Sequence, residues 1–584
     1  MKKIISIILA MTMVFTVCTT GASAASAVGD TLKHVGVSIV DAIVTTLLTA
    51  VSTVIPATRD FPTLEEYKSE NFYAGNDKML DEPAENAAWS LGYATASVLP
   101  DDWQTEKYYL GGFITMSNGM SNLVEEVMDD MQVRVIAVSD GSGRGINVFA
   151  NLDSIGLPNS DIKTIRKALE AAVTDVEINS INLSSTHCHS CIDTQGLWTE
   201  LFPKLLKNIG NAFVPIGKME KGVNTEYIKF LCEITTQAMI DAINNMTEGT
   251  LTYAVKTLDG EYFSNKNRPS STAEMYDLSR FVFTPFKTVD ENGNKIKPTM
   301  IINIAAHPDV AGLAVDDIDN GRDLSGDYIY YMGEQLESKG YNFMFFNGAI
   351  AGIYIGRGPS GDGVETFRRV EQSARYGKEI ANIALNMTNT VEEIKANMTQ
   401  AEKDLEAAEM EEGGEYYTLW YENWEKVEET EVKPLLNIKL KEVLIKVTNP
   451  LIKLVGKLDL VNYGIIKDGF SYYIYTEIGY MEMGDIKLVF MPGEIVQDLV
   501  AGGASLTADG SFKGKDFGIP SIYEMFGEGT ICIGLMNDAI GYVVPDNDYS
   551  MAILDGHYQE LISLGGTTAS SIMNGFVELA KEVK

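Results

Sequence analysis

Ser184-Ser185-Thr186-His187-Cys188-His189-Ser190-Cys191 is the stretch from which this chain is read. The whole sequence has five histidines, and two of them stand here, two positions apart. Upstream, Ile181, Leu183 and Ser185 share the parity of His187 and His189. A strand carried through the segment places both imidazoles on one face. They then sit at a strand terminus, where a loop leaves room for a metal or a substrate. On residue type alone the pair also serves as two hydrogen-bonded histidines ending a strand.

The segments on either side predict alternating strands and helices. Val133–Val138 and Ile146–Phe149 are the arms of a hairpin turned by Asp140-Gly141-Ser142-Gly143. Ser160 is placed to cap a helix with Ile162, Ile165, Leu169 and Val173 on one face. Further on, four apolar runs end in polar or glycine-containing chemistry. Met300–Ala306 ends at His307-Pro308, and Phe343–Phe346 at Asn347-Gly348. Ile486–Met491 ends at Pro492-Gly493-Glu494, and Ile531–Met536 at Asn537-Asp538. Runs apolar on both parities suit strands covered on both faces. The expected fold is therefore α/β, a mixed sheet flanked by helices, with the active site at the strand C-terminal ends. Glu371–Asn386 reads as a helix. Pro434–Leu460 interleaves Leu, Ile and Val with Lys439, Lys441, Lys446, Lys453 and Lys457. It reads as a basic amphipathic stretch, either a helix packed on the body or a lid or lipid-facing surface.

Composition narrows the partners. The net charge is −35, from 46 basic and 81 acidic residues, which argues against nucleic acid and against broad attraction to anionic membranes. The N-terminus reads as a signal peptide over 1–27: Lys2 and Lys3, an apolar run from Ile4, then Ala22-Ser23-Ala24 and Ala25-Ser26-Ala27. A secreted or cell-surface protein is expected. Cys18 leaves with the leader, and four cysteines in so long a chain make no disulfide framework. Residues 28–86 read as an apolar helix, broken by Asp41, and an acidic connector. Residues 87–584 read as the catalytic domain, with an insertion at about 406–465.

Taken together, five segments resemble the neutral/alkaline non-lysosomal ceramidase family. Thr186-His187-Cys188-His189-Ser190 is similar to that family's Thr-His-Thr-His-Ser motif. Asn303–Pro308 resembles its strand ending in Ala-His-Pro. Asn347-Gly348-Ala349 resembles the start of its Asn-Gly-Ala-Gln-Gly-Asp motif. Gly484-Asp485 leading to Pro492-Gly493-Glu494 resembles its Pro-Gly-Glu region. Asn537-Asp538 through Gly541-Tyr542-Val543 resembles the segment carrying its tyrosine ligand. The order agrees with the family, over roughly Trp89 to Glu560.

The resemblance implies a secreted zinc amidase that hydrolyses the N-acyl amide bond of ceramide or a related lipid amide, in transient contact with a membrane surface. His187, His307, Glu494 and Tyr542 match its Zn2+ ligands, with water in the open position. His189, Arg268 and Tyr558 match its substrate and transition-state groups. The chain also departs from the pattern. Cys191-Ile192-Asp193 replaces Gly-Pro-Gly, Ile350 to Tyr354 lacks the family's serine, and the trailing immunoglobulin-like domain is not recognisable. The alternatives are a lipid-binding exoprotein of the same fold with impaired catalysis, or another metallohydrolase.

Overall fold

A computed structural model describes residues 46, 49–50, 52–57, 60–112, 122–214, 217–265, 268, 270–311, 322–356, 369–413, 419–551 and 558–583. The expected leader, Cys18, His34, His557 and most of Val35 to Pro56 lie outside them. Among the described residues no helix is long and apolar enough to cross a membrane.

The fold is α/β, built on two sheets. The nine-stranded sheet comprises β1 (Trp89–Ser97), β2 (Gln132–Ser139), β3 (Ile146–Leu152), β4 (Ile178–Ser185), β5 (Thr247–Thr257), β6 (Asp277–Pro285), β7 (Thr299–Ile304), β8 (Asn342–Asn347) and the short β9 (Thr430–Glu431). Its order is β8-β7-β6-β5-β1-β2-β3-β4, with β9 on β5. The five-stranded sheet comprises β10 (Leu436–Lys446), β11 (Ile465–Asp468), β12 (Ser471–Met483), β13 (Ile486–Phe490) and β14 (Ile531–Ile533). The expected hairpin is β2–β3, antiparallel with Val133 opposite Leu152. β3 and β4 are parallel, as are β7 and β8. Each parallel pair needs a crossover, and each has a helix in it.

Those helices are α1 (Asn159–Ala172), between β3 and β4, which with α2 (Thr225–Asn244) covers one half of the sheet. α3 (Asp327–Ser338), between β7 and β8, covers the other half with α4 (Arg369–Asn386). α5 (Pro450–Lys457) lies beside the second sheet, where Gly456 meets Ile465. α6 (Thr568–Glu582) covers that sheet's outer face through Ile572, Phe576 and Leu579. Between the sheets lies a shared apolar layer, including Phe149, Phe283 and Phe346 from one and Ile438, Met481 and Phe490 from the other. The layers run helix, sheet, sheet, helix. Among the described residues helices flank the pair from outside, because the second sheet occupies the inner face.

Two local expectations change. Ser160 does not cap α1: Pro158 is the N-cap residue, and the Ser160 hydroxyl donates to the Asn462 carbonyl. Pro434–Leu460 is not one helix: an eleven-residue strand, Leu436–Lys446, comes first. Leu436, Ile438 and Leu440 alternate with Asn437, Lys439 and Lys441 over a period of two, and the apolar set faces the inter-sheet core. Asn449 then caps the short α5, its side chain accepting from the Leu451 N–H.

The nine-stranded sheet curls until its two ends meet. Phe149 of β3 and Phe346 of β8 stand edge-on with centroids 6.3 Å apart. The apolar run from Ile531 leaves β14 after Ile533 and fills the seam. Gly534 N–H donates to Asn347 O at 2.9 Å, Ser185 N–H to Leu535 O at 3.3 Å, and Asn537 N–H to Leu183 O at 2.7 Å. Leu535 and Asn537 take left-handed φ values of 48° and 63° to make this switch.

A buried ion pair ties α1 to the second sheet. Arg166 grips Glu477 with both terminal nitrogens, at 2.7 and 2.8 Å, while its Nε donates to Ile181 O. Truncation leaves a buried, uncompensated carboxylate. Arg166→Ala is therefore expected to cost roughly 3–5 kcal/mol in urea denaturation, and Arg166→Lys, lacking the planar fork, to recover only part of it.

Candidate metal centre

The His187 loop begins where β4 stops, at Ser185. The strand does not run through to His189, so the two imidazoles do not share a strand face. His187 takes a left-handed φ of 63°, rare for a residue with a Cβ, and the chain turns there. Thr186 N–H donates to Leu152 O and Cys188 N–H to Ser154 O. His189 N–H donates to Pro308 O at 2.9 Å, which joins this loop to the one after β7. Gly112 lies against His189, where an added Cβ would fall 2.6 Å from the histidine Cβ.

The His187 loop hangs from one side chain. The Asn347 amide nitrogen at the end of β8 donates to the carbonyls of Thr186 and Ser185. Asn347 is fully buried.

Three buried histidines converge as a result, with ring centroids 4.8 Å apart for His187–His189, 4.9 Å for His187–His307 and 5.6 Å for His189–His307. Glu494, also buried, faces two of them. Its Oε2 lies 3.2 Å from His187 Nε2 and 3.1 Å from His307 Nε2. His189 Nε2 lies 3.2 Å from His187 Nε2. Tyr542 sits opposite Glu494 in a two-residue parallel bridge and is buried.

The outer ring nitrogens fix the tautomers. His187 Nδ1 donates to Ile155 O at 2.7 Å, and His307 Nδ1 to Ile353 O at 2.8 Å. In the neutral ring each Nε2 then carries a lone pair aimed at the Glu494 carboxylate. Electron pairs do not converge in a buried place unless a proton or a cation lies among them. Burial raises the Glu494 carboxyl, but the His187 and His307 rings in their protonated form outweigh it and hold the group well below the ordinary carboxylate range. Burial, and then the His187 and His307 rings, hold the His189 imidazole well below its usual value, so it is neutral at pH 7.

The spacing fits a metal. A tetrahedral zinc with bonds of about 2.0–2.1 Å separates its ligand atoms by roughly 3.3 Å, against 3.1 and 3.2 Å here. Nitrogen and carboxylate donors on fixed outer hydrogen bonds are the chemistry such a cation selects. Two donor sets share His187 and His307, one completed by Glu494 and the other by His189.

Other predicted residues lie elsewhere in the arrangement. Arg268 is buried in a carboxylate cage, Nε to Asp548 at 2.6 Å and a terminal nitrogen to Glu560 at 2.8 Å. Those partners flank Tyr549, which shares an apolar cluster with Tyr542. Tyr558 opens a short 3-10 turn, Tyr558–Ile562. The Cys188 and Cys191 thiols lie at 3.1 and 3.5 Å from the Ser325 carbonyl. The departure at Cys191-Ile192-Asp193 is accommodated, because the Asp193 carboxylate accepts from the N–H groups of Gln195, Gly196 and Trp198. Tyr354, in the other departing stretch, stacks on the His307 ring at 4.7 Å. Sequence reasoning missed Ile155 and Ile353, which contribute only carbonyls, and named Asn347 without its role.

No family model matches the chain, and no curated protein matches it. Solved structures do. Neutral ceramidase from Pseudomonas aeruginosa superposes with a TM-score of 0.53 at 13% identity, covering 85% of this chain and 74% of that one. A ceramidase complexed with C2 gives 0.52 at 12%, covering 85% and 75%. The chain therefore has a ceramidase-like fold.

Removing the Asn347 carboxamide strands two buried carbonyls. Asn347→Ala is expected to lower stability by roughly 1–3 kcal/mol. Asn347→Asp, which sets carboxylate oxygens against those carbonyls, is expected to lower it further. Thermal melts of both variants at pH 7 check the order.

Proposed function

We propose that the chain is a zinc-dependent amidase, exported after loss of residues 1–27, that hydrolyses the N-acyl bond of ceramide or a related lipid amide. The observation that carries this reading is the convergence of His187, His307 and Glu494 with both outer ring nitrogens already committed to carbonyls. The ceramidase-like fold supports the substrate class. We read 87–584 as the catalytic unit.

His187, His307 and Glu494 would hold the ion, with Tyr542 next to Glu494 as the further ligand. A bound zinc supplies Lewis acidity toward the amide carbonyl and lowers the pKa of a coordinated water to about 7. The protein's own groups do the rest. Ile155 and Ile353 keep His187 and His307 from turning. His189, adjacent to His187, would take the attacking water's proton at Nε2 and pass it to the departing amine, which cannot leave as an anion. Tyr354 covers one face of His307 and restricts water there. Arg268, held by Asp548 and Glu560, is assigned the positioning of the segment that packs on Tyr542. Tyr558 is placed by resemblance near the substrate.

Elemental analysis alongside fatty-acid release from ceramide tests this. One zinc per chain is expected. His307→Ala and Glu494→Gln should each lower zinc affinity by more than the roughly 10–100-fold that loss of an outer-shell partner costs. His189→Ala should keep the zinc and lose turnover. Stoichiometric zinc with no release from any acyl amide would reject the amidase part of this reading.

A further inference from the structure

The β11–β12 hairpin closes with Asp468 paired to Ser471, leaving Gly469 and Phe470 as its two-residue turn. Gly469 provides the left-handed φ of 56° that such turns demand. Phe470 provides nothing comparable. Tight turns favour Asn, Asp and Gly, whereas this ring is 92% exposed, the most of any large apolar side chain among the described residues. The fold gives no reason for a phenyl ring in water at that point.

Positive charge collects around it. Lys453 of α5 donates to the Phe470 carbonyl at 3.3 Å and lies over the Tyr472 ring. Lys457 lies over the same ring and donates to the Ser52 carbonyl. Lys467 stands opposite Tyr472 in register, and Lys446 opposite Tyr473. Burial, with Lys453 and Lys467 beside it, brings the Lys457 ammonium down to about 8. Lys441, farther along β10, is paired with Glu578 and Glu582. Among the described residues, Lys446, Lys453 and Lys467 are in no ion pair. The turn itself carries one carboxylate, Asp468. A second exposed apolar group adjoins the lysines: Val54, 59% exposed, follows the Ser52 carbonyl that Lys457 holds and precedes Ile55, which is buried against Leu454 and Leu458.

A chain of net charge −35 does not gather unpaired lysines around an exposed ring for solubility. A soluble polyanion would use the lysines and not the ring. An apolar partner would use the ring and not the lysines. An anionic bilayer uses both, since cations approach the headgroups while an aromatic side chain enters the interface. The location is apt. Val455, between Lys453 and Lys457, packs against the cluster that includes Ile55 and against the one that includes Ile155, whose carbonyl accepts from His187.

We propose that the Phe470 turn, with Lys446, Lys453 and Lys467, docks the protein on an anionic lipid surface. This deepens the lipid-amidase reading by naming where the lipid is met, and its binding step does not require turnover. Co-sedimentation of the full chain with phosphatidylcholine vesicles, with and without phosphatidylglycerol, tests it. Binding is expected only with the anionic lipid and should weaken with salt. Phe470→Ser should reduce it, and Lys453→Gln and Lys467→Gln should each do so by roughly five-fold, with unchanged thermal melts. His187→Ala should bind vesicles like the parent, which separates docking from the metal centre. Equal binding to neutral vesicles, or no effect of the three substitutions, overturns the proposal. So does a dimer in light scattering that Phe470→Ser abolishes while vesicles stay unbound, because the ring would then serve a second copy.

Discussion

The site exists because one sheet brings its two ends together. His187 hangs from β4 and His307 from β7, and β4 and β8 are the extremes of the strand order. In an open sheet these loops would be far apart, at strands roughly 4.8 Å apiece from their neighbours. Curling alone leaves the two end strands with unpaired backbone groups. The Gly534–Asn537 segment supplies partners to both, and Asn347 reaches across to the Thr186 carbonyl. Glu494 and Tyr542 come from chain just outside the second sheet and enter through the same seam. Closure of the sheet and assembly of the donor set are therefore one event. A change that opens the seam separates the donors even where no donor is altered.

Closure alone would be unfavourable in electrostatic terms. It buries a carboxylate and three imidazoles within hydrogen-bonding range of each other. Buried ionisable groups are tolerated when paired, protonated or bound to metal. The two Nδ1–H donors remove the freedom to solve this by changing tautomer, since the outer nitrogens are already in use. A proton shared with Glu494 or a divalent cation remains, and the separations of the donor atoms match a tetrahedral ion. The left-handed φ at His187 belongs to the same account. Local strain of about 1–3 kcal/mol is sustained where the surroundings over-determine the conformation, as Thr186, Cys188 and His189 do here through their backbone N–H groups.

Much of the strand order along the chain was legible, because runs apolar on both parities mark strands covered on two sides. Their polar ends stood out because His307, Asn347 and Glu494 follow apolar runs and are buried with them, where a polar group needs a partner. Position singled out these run ends as candidates to converge, and the resemblance supplied the roles of His307 and Glu494. What failed were inferences needing more than parity. The strand through His189 was inferred from alternation, but Thr186 and Cys188 bond back to Leu152 and Ser154, and the chain turns. Ile531–Met536 reads as one strand, yet it is half strand and half seam, because the partner for its second half is the far end of another sheet. Leu436 to Lys441 has a clear period of two that the lysines obscured. The carbonyls of Ile155 and Ile353 carry no signature, since every residue has one.

Net charge illustrates the same difference between average and local properties. A value of −35 argues against nucleic acid, because phosphate contacts require many cations together. It says little about a patch of a few side chains, because screening confines each charge to about 8–10 Å at physiological salt. Near Phe470 the local side chains, Lys453 on its carbonyl, Lys446 and Lys467 opposite Tyr473 and Tyr472, and Asp468 in the turn, weigh more than distant carboxylates. Those carboxylates still matter for geometry. They repel an anionic surface from most orientations, so the few that present the lysine-ringed turn are the ones left. In the proposed docking, acidity elsewhere would thereby orient the protein on a surface that its average charge would avoid.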